Sequence, residues 1–426
     1  MHHIVVVGGG VAGIVTATHL SRRLTRSKLA DILLVDHNLA HVWKPMLHTF
    51  AAGTANYTNE NISFISHAKR NHFRYWPGEL SGLSRSRKTV ELGSVSMPDG
   101  EKFPGGSFSY DTLILAVGSR ANDFGTSGVI ENCHFIDDIG QALLFSDRLR
   151  SRILMAIAAR TDLHLVIVGG GATGVELAAE LSHYMETLSR YATDEMPTHL
   201  RMTLIETGPR LLGPFPKRIS KSVEEKLRQL GIDVRTNTKV VGADAKGVIL
   251  DGGQRIEAAL VVWAAGVKAP EVVSKLDGLE VNHRGQIVVR PTLQSKEDDS
   301  VFALGDCSSF SGLDGRSLPT TAQVARQQAV FLARSLVGYL RQNRPLAEFH
   351  FRDMGSLVSL ADYAAYGTLG SYGFFRGGFL RGHLAHLAHA ALYRMHQMDL
   401  YGPIRGGVTW FADDLYRAVR PRIHLG

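Results

Sequence analysis

The chain has 426 residues, 44% of them hydrophobic, with 44 glycines and a formal net charge of +7. That length exceeds one ordinary core and implies two or three domains, and the positive balance favours an anionic partner: nucleic acid, an acidic membrane surface or a phosphorylated cofactor. The two cysteines, Cys133 and Cys307, are too few for a disulfide framework or a four-ligand zinc site, so a reducing compartment fits and no metal is expected.

Residues 4–7 (IVVV) are an apolar run of the kind buried on both faces of a parallel sheet. A helix is predicted over 11–26 and a second such strand over 32–35 (ILLV), which sets GGGVAG at a strand-to-helix turn. A further strand is read at 112–118 (TLILAVG). The same layout then recurs: strand 165–168, the loop GGGATG, a helix from about Ala172 and a strand over 202–205, with a longer connection around RYATDEMPTH. Strands follow at 260–266 (LVVWAAG) and 301–306 (VFALGD). After about residue 343, FRDMGSLVSLADYAAYGTL reads as short strands. Residues 379–401 read as a helix with Leu380, Leu384, Leu387, Ala391, Met395 and Met398 on one face and His386, His389, His396 and Gln397 on the other. VTWFADDLYRAVRPRI reads as a last amphipathic helix. Neither a secretory segment nor a membrane-spanning run is read.

The spacing Gly8-x-Gly10-x-x-Gly13 has a mechanical meaning. The first glycine allows the tight turn, the second admits a pyrophosphate to the backbone, and the third lets helix and strand pack closely. The helix N-terminus offers N–H groups to phosphate. Asp36, closing the next strand, is placed for ribose hydroxyls. In the second copy Gly169, Gly171 and Gly174 take these parts and Glu206 is the acid, which favours NADH over NADPH because a carboxylate repels a 2′-phosphate. Two such sites call for two nucleotides, and a bound FAD with an exchangeable nicotinamide is the common pairing. The late strand ending at Asp306 needs a parent sheet. The N-terminal one is the natural candidate, which would insert the second unit within the first.

These stretches, with HVWKPMLHTFAAGT, VVWAAGVKAP, AQVARQ, GSLVSL and LYRMHQ, make the chain resemble the two-dinucleotide-binding-domain flavoproteins, of glutathione-reductase-like α/β fold. Within them it resembles the bacterial type II, non-proton-pumping NADH:quinone oxidoreductases. The resemblance implies a first part of the FAD domain over 1–160, an NADH domain over 161–282, a second FAD part over 283–370 and a membrane-association region over 371–426. Gly8, Gly10, Gly13, Asp36, Lys44, Gly118, Asp306 and Ala322 would serve FAD, and Gly169, Gly171, Gly174, Glu206 and Gly266 would serve NADH. The implied partners are a quinone and the cytoplasmic face of the bacterial inner membrane, reached peripherally, with no nucleic acid and with homodimerisation left open.

The disulfide reductases of this fold carry a Cys-x4-Cys pair near the loop VWKPMLHTF, which has none, and sulfide:quinone reductases relay sulfur through cysteines. Cys133 and Cys307 therefore read as structural thiols. Aligning the two glycine loops sets Val15 against Glu176. The local reading of an acid there is helix support; the resemblance implies that Glu176 orients NADH and takes part in proton delivery. Gln323 and Gln327 lie one helical turn apart. They are ordinary solvated amides on local grounds, and in the family they meet the quinone head-group. The tail is rich in Arg, Trp, Tyr and Phe, which suits an anionic membrane interface. Deleting residues after about 372 is expected to release the protein from membranes and spare NADH oxidation. A soluble NADH-dependent reductase feeding a small electron-transfer protein, and a non-catalytic redox sensor, are the rivals.

Overall fold

The computed structural model describes residues 1–191, 200–312, 317–370, 379–381 and 383–419; the connection RYATDEMPTH falls largely outside them. Five strands make the first sheet, in the spatial order Val301–Ala303, Thr112–Leu115, His2–Val7, Ala30–Asp36 and Arg74–Pro77. All its pairings are parallel. The second sheet orders Asp233–Arg235, Leu200–Ile205, Leu163–Val168 and Leu260–Trp263, again all parallel. In each, the glycine-bearing strand lies between the strand that follows its helix and a strand from much later in the chain. The parallel pairing explains the unbroken apolar runs, because crossovers cover both faces of such sheets.

The late strand joins the N-terminal sheet, with Leu113 opposite Val301 and Leu115 opposite Ala303. The whole second sheet thus lies in sequence between strands of the first. Helix Val11–Leu24 packs against Ala322–Gln342, a pairing that brings the first glycine turn and the segment after Asp306 together. Separate apolar cores form around Ile4, Leu33 and Phe302 and around Leu165, Leu204 and Val262. Antiparallel strands Glu79–Ser84, Thr89–Gly93 and Gly106–Ser109, a second such trio at 240–257 and the helix Ile139–Ala159 have no counterpart in the sequence reading.

The tail departs from expectation. Phe379–Arg381 is a strand, paired with Ala364–Leu369, and the helix begins only at His383 and ends at Tyr401. The side chains of Leu380, Leu384, Leu387, His386 and His389 lie outside what is described. In the last turns the faces are the reverse of those read from the wheel. His396 and Gln397 are buried with Arg394, while Leu392, Met395 and Met398 are exposed. The polar side chains turn inward because partners wait there: Arg394 Nη1 donates to Gln397 Oε1 at 2.9 Å, and His396 Nε2 lies 2.8 Å from His41 Nε2. A further helix, Pro403–Val419, follows Gly402. Among the described residues no helix is long and apolar enough to cross a membrane.

Candidate active site

Both glycine turns are built the same way, and backbone crowding explains the residue types. Gly8 has φ +105°, and a Cβ there would stand 2.3 Å from the Ala116 carbonyl oxygen; one on Gly13 would stand 1.7 Å from the Gly8 oxygen. The second copy repeats this at Gly169, against the Ala264 oxygen, and at Gly174, against the Gly169 oxygen. By contrast, nothing lies within 4 Å of a Cβ on Gly10, Gly171 or Gly118. Those three positions border open space where the helix N-terminus or the strand end faces outward, which is the cradle a pyrophosphate needs.

Each turn is held to its acid. Gly9 N–H donates to Asp36 Oδ2 at 2.5 Å, and Asn38 N–H to Asp36 Oδ1 at 2.7 Å. In the second copy Gly170 N–H donates to Glu206 Oε2 at 2.7 Å and Gly208 N–H to Oε1 at 2.6 Å. These amide donors fix the position of both carboxylates at their turns.

Around the first turn, distant segments meet at the carboxyl ends of the strands. Lys44 Nζ donates to the Ser119 carbonyl at 3.0 Å, and Ser119 Oγ donates to Asp306 Oδ2 at 2.8 Å. Gly118, with φ +68°, sets that bend. Asp306 lies just past its strand, in the tight turn Gly305–Cys307, whose Gly305 N–H donates to Gln328 Oε1 at 2.7 Å. Ala322 opens the next helix, capped by Thr321 Oγ1, which accepts from Val324 N–H. These residues suit an FAD: amides for its phosphates, an acid for its ribose and Asp306 for polar groups further along. On the second turn, Gly266 has φ +154° and borders the Phe124 ring.

Glu176 is buried in the first turns of helix Ala172–Tyr191. Ser359 N–H donates to its Oε1 at 3.0 Å, and His48 Nδ1 lies 3.6 Å from Oε2. Burial, and after it the charge of Glu180, pushes the Glu176 carboxyl up to about 8 against the opposing Ser359 hydrogen bond. Glu180, one turn on, is pushed up to about 7, chiefly by burial, although Thr54 Oγ1 donates to it at 2.8 Å. Burial thus brings two carboxyls, one helical turn apart, to titrate in or just above the neutral range. Glu180 was missed in the sequence; its signal was the i, i+4 spacing of ELAAE.

Gln323 and Gln327 are brought together, but their amides are already engaged. Gln323 Nε2 donates to the Gly355 carbonyl and its Oε1 accepts from Met354 N–H, both at 2.9 Å. Gln327 Nε2 donates to the Arg352 carbonyl at 2.8 Å and its Oε1 accepts from Arg352 N–H at 3.0 Å. Both side chains hold the segment leading into strand Gly355–Leu360, the strand that reaches Glu176 through Ser359. Cys133 and Cys307 are buried in different cores, and burial pushes their thiols up to about 12 and about 11, far from a reactive thiolate.

Two parallel sheets, each with a glycine turn, an acid held by the turn's amide and room at the helix end, are the frame of an oxidoreductase that uses two nucleotides. A pyridine nucleotide-disulphide oxidoreductase family model matches residues 2–329. A type II NADH:quinone oxidoreductase of Haemophilus influenzae is 38% identical over the full length of both chains, and one of Staphylococcus haemolyticus 29% identical over 86% of this chain and 89% of its own. The NDH2 of Plasmodium falciparum, solved in complex with NADH, has the same fold, with a TM-score of 0.84, 19% identity, and 99% of this chain and 100% of that one covered. The chain belongs to the pyridine nucleotide-disulphide oxidoreductase family and, within it, to the type II NADH:quinone oxidoreductases.

Proposed function

We propose that this protein oxidises NADH and reduces a quinone by two electrons without moving protons across a membrane, holding FAD at the first glycine turn and NADH at the second. The observation that carries the reading is the second complete glycine turn with Glu206, beside a buried Glu176 and without a cysteine in VWKPMLHTF, residues 42–50, near which disulfide reductases keep theirs. The flavin supplies the hydride-accepting and quinone-reducing chemistry.

The chain's own residues do the rest. Gly8, Gly10, Gly13 and Asp36 seat the flavin's adenosine diphosphate, with Lys44, Gly118, Asp306 and Ala322 lining its further reach. Gly169, Gly171, Gly174, Glu206 and Gly266 receive NADH. Glu176 holds a proton at its carboxyl at neutral pH and is positioned by Ser359 to give it up to the quinone oxygens. Gln323 and Gln327 act first by fixing the 352–355 segment; the second N–H of Gln323 is the one left for a quinone oxygen.

The protein attaches peripherally to the membrane, on the cytoplasmic face where NADH is available. Supporting this are exposed apolar residues along the last two helices, including Met395, Met398, Ile404 and Phe411, and a quinone substrate that is itself lipid-soluble. A homodimer using the same face is the competing use of those residues. Purified protein should be yellow, release FAD on denaturation and turn over NADH with a water-soluble quinone. A flavin-containing preparation that ignores quinones but reduces a ferredoxin-like protein would replace this reading with the soluble reductase.

A further inference from the structure

A cavity of about 490 Å³ opens where helices Val11–Leu24, Phe64–Asn71 and Pro403–Val419 converge, away from both glycine turns. Its lining includes four arginines, Arg22, Arg26, Arg70 and Arg405, and no carboxylate. Arg22 is part of the frame: its guanidinium donates to Asn71 Oδ1 at 3.0 Å and to the carbonyls of Asp399 at 2.9 Å and Leu400 at 2.5 Å. The other three differ. Arg26, Arg70 and Arg405 are exposed and make no ion pair among the described residues, whereas Arg74, Arg255 and Arg290 are each matched with an acid. Three uncompensated cations around one cavity repel each other until an anion arrives.

The rim of the cavity is apolar. Ile404 lines the cavity and is 83% exposed. Val408, Phe411 and Leu415 follow it at helical spacing and are 65, 73 and 58% exposed, so one apolar stripe of about 16 Å starts at the cavity mouth. An acidic protein would use the arginines and leave the stripe in water. An amphiphile with an anionic head uses both.

We propose that this cavity is a binding site for an anionic phospholipid, its phosphate among Arg26, Arg70 and Arg405 and its acyl chains along Ile404, Val408, Phe411 and Leu415. The site rests on the membrane attachment above and adds to it a headgroup preference. A helix lying in the interface sinks its apolar face about 5–10 Å below the headgroups, which leaves a cavity at its N-terminal end at phosphate level.

The test is flotation of the full-length flavoprotein with phosphatidylcholine vesicles, alone or mixed with phosphatidylglycerol. Wild type should prefer the mixed vesicles. Arg26→Ala/Arg70→Ala/Arg405→Ala should bind the mixed vesicles roughly a hundredfold more weakly, each cation near an anionic surface being worth about fivefold. It should bind phosphatidylcholine as wild type does and keep its NADH oxidation with a soluble acceptor. Lys246→Ala/Lys275→Ala/Arg284→Ala removes three exposed cations outside the cavity and should keep most of the preference. Equal losses in the two triple variants would reduce the effect to overall charge and overturn the site. An unchanged preference in the arginine variant would overturn it while leaving membrane attachment intact. Wild type binding neither vesicle would overturn both. Glycerol phosphate raising the melting temperature of wild type but not of the arginine variant, with no vesicle preference, would reassign the cavity to a soluble phosphate.

Discussion

Glu176 makes the stability of the fold depend on pH. Its carboxyl titrates near 4.5 in an unfolded chain and about 8 in the folded protein. Between those values the unfolded chain releases the proton and the folded one keeps it. Stability from this group is therefore fully present below about pH 4.5, declines as pH rises, and is gone above about pH 8. Glu176→Gln keeps the shape and removes the titration, so it should be more stable than wild type at pH 9, by about a few kcal/mol at most, with a higher melting temperature that converges with wild type at pH 5. Parallel melting curves at all pH values would show a carboxyl that titrates normally. The glycine turns give a second residue-scale contrast. Gly174→Ala forces a methyl against the Gly169 carbonyl at about 1–3 kcal/mol. It should weaken NADH binding roughly tenfold or more while flavin content stays near one per chain. Gly13→Ala should do the reverse, and flavin absorbance with NADH titration reads both.

Strand Gly355–Leu360 links elements that look unrelated in sequence. Gln323 grips its first residue, and its fifth, Ser359, donates to Glu176. Gln323→Ala leaves the Gly355 carbonyl and the Met354 N–H without that partner, for about 1–2 kcal/mol of stability. Because the Ser359 hydrogen bond is what lowers the Glu176 carboxyl, loosening the strand should also move the alkaline limb of quinone reduction to higher pH. A lower melting temperature with an unmoved limb would leave Gln323 a purely structural residue. Elements of this kind explain what could and could not be read in advance. The glycine turns and their acids were legible because strand, turn, helix and acid are contiguous, and backbone crowding admits only glycine at Gly8 and Gly13. The parent sheet of residues 301–303 followed from the need of a buried strand for a neighbour. His396 and Gln397 were placed on the wrong face because a helical wheel assumes that polar side chains seek water. Here His41, 355 residues away, receives one of them. Asp399 is likewise taken by Arg326, with an Nη2–Oδ1 distance of 3.1 Å, a contact with no local signature.

The molecule as a whole divides its tail at Gly402. Helix His383–Tyr401 belongs to the body of the protein: Leu400 and His396 are buried, and Arg22 and Arg326 grip the residues around Asp399. A deletion after about 372 therefore strips a packed helix and exposes the core beneath it, and should give insoluble or flavin-poor protein. Ending the chain at Gly402 should instead retain flavin and NADH oxidation by a soluble acceptor while flotation with vesicles falls. Full flotation of that shorter protein would move the attachment surface elsewhere.

The interleaving of the two sheets also dictates an order of manufacture. Residues 1–115 emerge from the ribosome with four strands of the first sheet, but the fifth strand and Asp306 follow only after the second sheet has been made. The nascent chain must keep an open sheet edge through the synthesis of nearly two hundred residues, and tight capture of the coenzyme waits for the end. Lesions in the inserted lobe that slow its collapse should then yield apoprotein, a defect in assembly rather than in chemistry.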